Sequence, residues 1–271
     1  MPELPEVETT CRGIAPHIEG QQVDTAIVRH PTLRWPVSSE VENLLPGLTI
    51  NKVTRRAKYL LLETNSGTLI IHLGMSGSLR IVDPHTPVEK HEHIDILFKN
   101  KRCLRYKDPR RFGCFLWTDL PIQQHKLIAH LGPEPLSDLF DIDYFYHKAQ
   151  LRKVPIKTFI MDGKVVVGVG NIYACEALFS SGIHPQRAAN RLSKKRLQVL
   201  LNNIKLVLAR AIQQGGTTLK DFVNSDGKPG YFQQTLNVYG RKNQLCSVCQ
   251  SPIKQLVIAQ RSTFYCPNCQ H

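Results

Sequence analysis

The first apolar pattern in the chain has the period of an α-helix. Four apolar residues recur at intervals of three and four positions: Val7, Cys11, Ile14 and Ile18. Such spacing places them on one face of a helix, which can then pack against a core. The pattern predicts a helix from about residue 5 to residue 17, and Pro5 suits its first turn.

From about residue 23 to residue 120 the pattern changes to short apolar runs. The clearest runs are residues 59–62, 68–73, 94–98 and 103–106. They have the composition of strands, and turn residues such as Asn65-Ser66-Gly67 and Asn100-Lys101 separate them. This part of the chain is therefore predicted to form a β-sandwich or barrel behind the leading helix.

The second half contains the most regular helical pattern. Ser193 is a suitable N-cap and Gly215 a suitable end. Between them one face is apolar: Leu197, Leu200, Leu201, Ile204, Val207, Leu208, Ala211 and Ile212. We expect this helix to pack in the core of a helical domain.

Charge divides the chain into two unequal halves. Residues 1–150 contain 18 Lys and Arg against 18 Asp and Glu, whereas residues 151–271 contain 17 against 4, which accounts for the net charge of +13. A half this basic is typical of a protein that binds a polyanion, most simply nucleic acid. A solvated surface and an anionic membrane are the alternatives, but no basic amphipathic lipid-binding helix or lipidation signal favours the membrane.

Eight cysteines are unevenly distributed. Four of them form two CxxC pairs, Cys246 with Cys249 and Cys266 with Cys269, with 16 residues between the pairs. Four thiolates can hold Zn²⁺ tetrahedrally and leave no position for water, so the spacing predicts one structural zinc. Redox disulfides are the alternative, and the paired spacing favours zinc. The remaining cysteines are expected to be small buried hydrophobes.

These patterns predict an α+β protein with four segments. We expect an N-terminal β-domain at residues 1–130, a linker at 131–151, a helical domain at 152–235 and a zinc ribbon at 236–271. The linker is predicted because residues 121–151 mix prolines with acidic residues.

The beginning of the chain carries candidate chemistry. If Met1 is removed, Pro2 becomes a secondary amine that can attack carbon and form an iminium. Glu3 follows directly and could act as a general acid or base. Taken alone, the same residues would also suit an ordinary helix start.

Three stretches resemble the formamidopyrimidine-DNA glycosylases, bifunctional bacterial enzymes that remove oxidised purines from DNA: residues 2–8 (PELPEVE), 55–60 (RRAKYL) and 215–222 (GGTTLKDF). The resemblance extends through the cysteine pairs to residue 269. It implies an N-terminal β-sandwich, a helix-two-turn-helix domain and a terminal β-hairpin zinc ribbon. In this family the glycine-threonine loop covers the flipped base.

The resemblance also implies four catalytic residues. Pro2 would be the nucleophile and Glu3 the proton shuttle. Lys58 would contact phosphate and donate a proton during strand cleavage, and Arg261 would hold phosphate at the lesion and assist the second elimination.

Seven residues are implied as DNA contacts by the same resemblance: Met75, His91, Arg110, Phe112, Arg152, Lys157 and Asn171. Met75 and Phe112 would enter the duplex, and Arg110 would pair with the orphaned cytosine. Asn171 would bind phosphate. Arg152 stands where the family has a lysine, a departure that keeps the positive charge.

Two other functions compete with this interpretation. An endonuclease VIII-type glycosylase would share the amine, the carboxylate and the ribbon but prefer oxidised pyrimidines. A non-catalytic zinc-ribbon DNA-binding protein would explain the charge and the cysteines, but it leaves Pro2, Glu3 and Lys58 unexplained.

We expect a monomer in the bacterial cytoplasm that is associated with the nucleoid when bound. Its expected partner is duplex DNA with an oxidised purine or an abasic site. We do not expect it to bind membranes.

Overall fold

The computed structural model describes residues 2–215 and 236–271. Residues 2–129 form one compact unit, and residues 130–214 and 236–271 form a second. Apart from Gly215, the glycine-threonine loop at 215–222 lies outside the described residues.

The first unit begins with a helix, as predicted, and continues mainly as strands. Its helices are α1 (Leu4–Ile18) and α2 (Glu40–Asn43). Its strands are β1 (Val23–Val28), β2 (Lys52–Arg56), β3 (Tyr59–Thr64), β4 (Gly67–His72), β5 (Ser78–Val82), β6 (Glu92–Phe98), β7 (Cys103–Lys107) and β8 (Cys114–Thr118).

These strands form two antiparallel sheets with the orders β1-β6-β7-β5 and β2-β3-β4-β8. Apolar residues of both sheets meet in one core, for example Leu60 of β3 and Ile96 of β6. The apolar face of α1 joins the same core through Val7 and Ile14, which are each 1% exposed. The predicted β-sandwich is confirmed, and burial of this face fixes how α1 lies against the strands.

The second unit is built on helices and ends in a β-hairpin. Its helices are α3 (Ile142–Gln150), α4 (Ile156–Ile160), α5 (Asn171–Ser180) and α6 (Lys194–Gln213), and the hairpin strands are β9 (Lys254–Ile258) and β10 (Arg261–Tyr265). The predicted helix is confirmed in α6: the Ser193 side chain accepts from the Arg196 backbone N–H at 3.3 Å. Among residues 2–215 and 236–271, no helix combines the length and the apolar character needed to cross a membrane.

The segment 131–151 differs from the linker expected there. It contains α3, whose Phe145 and Ala149 are fully buried in the core of the second unit together with Phe140. Asp141 caps this helix by accepting from the Tyr144 backbone N–H at 2.8 Å. The prolines and acidic residues suggested a linker, but the acidic residue is a cap and the aromatic residues are core, so the linker prediction is wrong.

Candidate active site and DNA interface

Pro2 and Glu3 stand at the N-terminal end of α1. Glu3 is the N-cap and is 1% exposed. Its backbone N–H donates to the Glu6 carboxylate at 2.8 Å, while the Glu3 carboxylate accepts from the Glu6 backbone N–H. This capping box fixes the backbone directly beside Pro2 and satisfies two donors of the first helical turn.

An ion pair joins α1 to the turn that carries Lys58. Arg55 donates to the Glu8 carboxylate at 2.7 Å and to the Ala57 carbonyl at 2.8 Å. Burial alone would raise the pKa of Glu8, but hydrogen bonds from Arg55 and Arg12 outweigh it and lower that pKa below its usual value. Glu8 therefore remains a carboxylate at neutral pH and holds Arg55, which orders the backbone next to Lys58.

His72 lies at the end of β4, where the next turn begins. Burial, reinforced by the positive charges of Lys58 and Arg34, lowers the pKa of His72 to about 4. Its Nδ1 accepts a hydrogen bond from the Gly74 backbone N–H at 2.9 Å. A neutral imidazole can accept at Nδ1 and an imidazolium cannot, so the low pKa and the hydrogen bond support each other.

Two neighbouring loops present the side chains expected to enter the duplex. Met75 is 40% exposed and Phe112 is 44% exposed. The guanidinium carbon of Arg110 lies 4.9 Å from the centre of the Phe112 ring. A Cβ on Gly74 would approach the Phe112 backbone to 2.5 Å, so the two loops touch only because residue 74 has no side chain. The three predicted side chains therefore belong to two loops in direct backbone contact.

His91 lies before β6 in a left-handed backbone conformation, with φ of +71°. Its carbonyl accepts from the Asp108 backbone N–H at 2.9 Å, and its ring centre is 6.3 Å from that of His93. The position of His91 is thus tied to the loop that bears Arg110.

Lys157 departs from the expected direct contact with DNA. It is 1% exposed, and its ammonium donates to the side chains of Asn171 and Thr263, at 2.5 and 2.7 Å. Asn171, at the start of α5, also donates to the Ser262 carbonyl at 2.9 Å. Because an ammonium buried in this way is already hydrogen-bonded, Lys157 orients Asn171 and β10 instead of offering its own charge at the surface.

Arg152 and Arg261 are both exposed and line one cavity of the second unit, with a volume of about 270 Å³. Arg152 lies 3.8 Å from the carboxylate of Asp162, a weak surface pair. Arg261 opens β10 directly after a two-residue turn formed by Ala259 and Gln260. Two arginines on one concave surface can bind an anion such as a phosphate.

Left-handed backbone recurs beside the predicted site residues. Ala57 precedes Lys58 at φ +54°, Arg111 separates Arg110 from Phe112 at +58°, and Gln260 precedes Arg261 at +60°. In residues other than glycine this backbone conformation is strained. The surrounding contacts therefore hold these positions more firmly than local preference would.

The four paired cysteines come together as the spacing predicts. Their sulfur atoms all lie within 4.8 Å of one another, and those of Cys246 and Cys269 are 3.9 Å apart, those of Cys249 and Cys266 3.4 Å. A tetrahedral zinc with Zn–S bonds of about 2.3 Å separates its sulfurs by about 3.8 Å. The thiols fit one structural zinc, and β10 ends next to Cys266.

Glu176 of α5 is a structural residue that the sequence did not reveal. Its buried carboxylate accepts from the backbone N–H groups of Asn237, Val238 and Tyr239, at 2.8, 3.0 and 2.9 Å, and from the Asn237 side chain at 3.0 Å. It holds the chain where it enters the ribbon. The sequence signal for it is an acidic residue in a mostly apolar helix.

Comparison with known proteins agrees with this architecture. Residues 1–115 match the formamidopyrimidine-DNA glycosylase N-terminal domain, residues 131–223 its H2TH domain, and residues 243–271 a zinc finger found in FPG and IleRS. A formamidopyrimidine-DNA glycosylase of Hydrogenovibrio crunogenus is 58% identical over 270 residues, covering 100% of this chain and 96% of its own.

Solved structures give the same result. The Lactococcus lactis Fpg in complex with DNA containing an abasic site has a TM-score of 0.90 at 34% identity, over 99% of both chains. The complex of the Lactococcus lactis Fpg with DNA containing FAPY-dG has a TM-score of 0.89 at 34% identity and the same coverage.

The three matched domains and the relatives that share them over the whole chain identify a DNA glycosylase of base excision repair. The chain belongs to the formamidopyrimidine-DNA glycosylase family, whose substrates are oxidised purines. Of the functions weighed from the sequence, the matches favour this branch over endonuclease VIII and over a binding protein without catalysis.

Proposed function

We propose that this glycosylase is bifunctional: it excises an oxidised purine through an iminium at Pro2 and then cleaves the strand by β,δ-elimination. The connection from Glu8 through Arg55 to the Ala57 carbonyl carries the proposal. It joins the helix that begins beside Pro2 to the turn that bears Lys58. The proposed nucleophile, Pro2, and the proposed cation, Lys58, are therefore attached to segments that are fixed to each other.

The chemistry begins at the nitrogen of a Pro2 freed from Met1. Its lone pair attacks C1′ of the sugar, the bond to the damaged base breaks, and the ring opens to an iminium. Glu3 shuttles the protons. The iminium acidifies the C2′ hydrogens, so the 3′ phosphate leaves by β-elimination and the 5′ phosphate by δ-elimination. Hydrolysis of the last iminium returns Pro2, and the iminium serves as the electron sink throughout.

Lys58 and Arg261 manage the phosphates in this scheme. Lys58 contacts phosphate and supplies a proton during strand cleavage. Arg261 holds the phosphate at the lesion and assists the second elimination. The zinc takes no part in the reaction, but its ligand Cys266 anchors the strand that Arg261 opens.

Removing a base from a duplex costs roughly a few kcal/mol of unstacking. Met75 and Phe112 offset this cost by filling the gap, and Arg110 pairs with the orphaned cytosine. His91, Arg152 and Asn171 bind the backbone of the DNA, and Lys157 acts through Asn171.

The proposed substrate is duplex DNA with an oxidised purine opposite cytosine, or with an abasic site. DNA with an abasic site and with FAPY-dG is bound by the similar Lactococcus lactis enzyme. Since that substrate is chromosomal, the protein would work at the bacterial nucleoid. A panel of lesions tests the assignment: preferential cutting of thymine glycol over 8-oxoguanine paired with cytosine would overturn it.

The decisive experiment is borohydride trapping with protein lacking Met1 on DNA that contains 8-oxoguanine opposite cytosine. We expect a covalent adduct that peptide mapping assigns to Pro2, and β,δ-cleavage products in a parallel reaction without borohydride. A preparation with Met1 retained is the matched control and should lose both base release and strand cleavage. Full activity of that verified control, or an adduct at a lysine, would refute the assignment of Pro2.

A further inference from the structure

Asp108 is a buried carboxylate between the two loops that carry the DNA-invading side chains. It follows β7 and is 0% exposed. One oxygen accepts from the Ser76 hydroxyl at 2.7 Å and from the Arg110 backbone N–H at 3.2 Å. The other accepts from the Tyr106 hydroxyl and from the Gly113 backbone N–H, both at 2.9 Å.

The four donors come from three separate segments. Ser76 follows Met75 in one loop, Arg110 and Gly113 flank Phe112 in the other, and Tyr106 belongs to β7. An ionised carboxylate offers acceptor sites only, so it can satisfy all four donors, whereas an amide in its place would turn an N–H₂ group towards two of them.

The remaining polar atoms of Asp108 extend the same connection. Its carbonyl bonds to the ring of His93 at 2.8 Å, and its backbone N–H donates to the His91 carbonyl at 2.9 Å. A side chain on Gly113 would overlap the Tyr106 hydroxyl. The two loops are thus packed as one body around a single carboxylate.

We propose that Asp108 is a positioning residue for the reaction: it locks the Met75 loop and the loop of Arg110 and Phe112 into one rigid wedge before DNA binds. The inference rests on the proposed function, in which these side chains fill the gap left by the damaged base. Without the carboxylate the loops would lose the acceptor that they share, and a displacement of about 1 Å in such a site can cost on the order of a hundredfold in rate.

Two variants test the proposal. Ser76→Ala removes the donor that joins the loops and leaves the buried carboxylate in place, and Asp108→Asn removes the hub itself. Ser78→Ala is matched to the first, since Ser78 is a half-buried serine that does not donate to Asp108. Asp95→Asn is matched to the second, because Asp95 is a buried carboxylate that binds Arg29 and Arg105 instead.

The readouts are the single-turnover excision rate on a paired 8-oxoguanine and the fluorescence of a reporter base placed beside the lesion. We expect Ser76→Ala to slow both unstacking and excision by about tenfold, because it removes a hydrogen bond to a charged group together with the longer bond that the hydroxyl accepts from the Arg110 backbone N–H at 3.3 Å. Strand cleavage at a preformed abasic site should fall less, since no base has to be removed from the stack. Ser78→Ala should match the wild type in all three measurements.

A double-variant cycle separates positioning from general stability. With Met75→Ala already present, Ser76→Ala should cost little more, because the side chain it positions is gone. Additive losses, or a Ser76→Ala protein with wild-type unstacking and excision, would overturn the inference. If Asp108→Asn fails to fold, the Ser76→Ala comparison alone decides.

The proposed function is tested separately in the same series. A wild-type protein that forms no adduct at Pro2 refutes the proposed chemistry, whatever the variants do. An adduct in the wild type with unchanged Ser76→Ala kinetics refutes only the role of Asp108.

Discussion

His72 combines a lowered pKa with a hydrogen bond that fixes the loop after β4. Its neutral ring accepts from Gly74, beside Met75, while burial and, to a smaller extent, the cations of Lys58 and Arg34 oppose its protonation. Protonating the ring would break the Gly74 hydrogen bond and place a third positive charge in the same region. The residue should therefore bind its proton far more readily in the unfolded chain than in the folded protein.

This difference predicts a stability that depends on pH. Because the pKa of His72 is about 4 in the folded protein and near 6.5 when unfolded, the unfolded chain binds more protons between these values. Stability should rise with pH across that window, by about 1–3 kcal/mol for this residue, and be fully present above it. Urea unfolding of the wild type and of His72→Asn, which keeps an acceptor, measures the effect between pH 5 and pH 7.5. Equal pH dependence in the two proteins would contradict it.

At the scale of elements, α5 organises the second unit. It begins with Asn171, which bonds to β10, and carries Glu176, which holds the chain entering the ribbon. One helix thus contains the predicted phosphate-binding residue and contacts the start of the zinc module. Its apolar face packs against α6 in the same core.

Glu176→Gln should weaken that connection. The new amide would direct its N–H₂ group against a backbone donor, and we expect a loss of about 1–3 kcal/mol in the free energy of unfolding. Asp143→Asn is the control, because Asp143 forms an exposed pair with Lys194 and should cost under about 1 kcal/mol. Urea titration with parallel zinc-release assays provides the measurement. Equal stability losses in the two variants would remove Glu176 from this role.

The same scale shows what a sequence can and cannot predict. Helices α1 and α6 follow from the helical period of their apolar residues, because one face of each must reach a core. Strands β3, β4, β6 and β7 follow from short apolar runs of strand composition between turn residues. The cysteine cluster follows from spacing alone. The helix α3 was missed because Asp141 reads as a loop residue unless its capping bond is known.

The residues that position the site are held by contacts between segments that lie far apart in the sequence. Nothing adjacent in the sequence indicates that Asp108 receives a bond from Ser76, 32 positions earlier. Lys157 looked like a surface cation because its partner Thr263, 106 positions later, becomes visible only in the folded chain. Motifs therefore identified the residues that would act on DNA better than the residues that hold them.

At the scale of the whole molecule, the ribbon differs from the β-sandwich and from the helical core in what stabilises it. The first unit has a β-sandwich core built from both sheets and α1. The ribbon has a small cluster, including Val238, Ile253 and Phe264, around cysteines that fit a zinc. So small a core cannot be expected to fold without its metal.

Removing zinc should therefore affect the ribbon and the β-sandwich differently. We expect a chelator to disorder the β9–β10 hairpin that carries Arg261 while the β-sandwich stays folded, and to weaken DNA binding about tenfold to a hundredfold through loss of charge-assisted contacts. Limited proteolysis and a binding titration at fixed salt measure both effects, and added zinc should restore them. Unchanged affinity in the metal-free protein would contradict this account of the ribbon.

The left-handed residues beside the site have a consequence for how such a protein can change over generations. Replacing Ala57, Arg111 or Gln260 with glycine would relieve about 1–2 kcal/mol of backbone strain in the folded chain. It would also give the unfolded chain more freedom, which offsets about half of that gain or more. The thermal stability of the protein would therefore change little, whereas the neighbouring Lys58, Arg110 or Arg261 would adopt a wider range of positions. Mutational drift towards glycine at these positions would be visible to selection through the speed of repair, not through the survival of the fold.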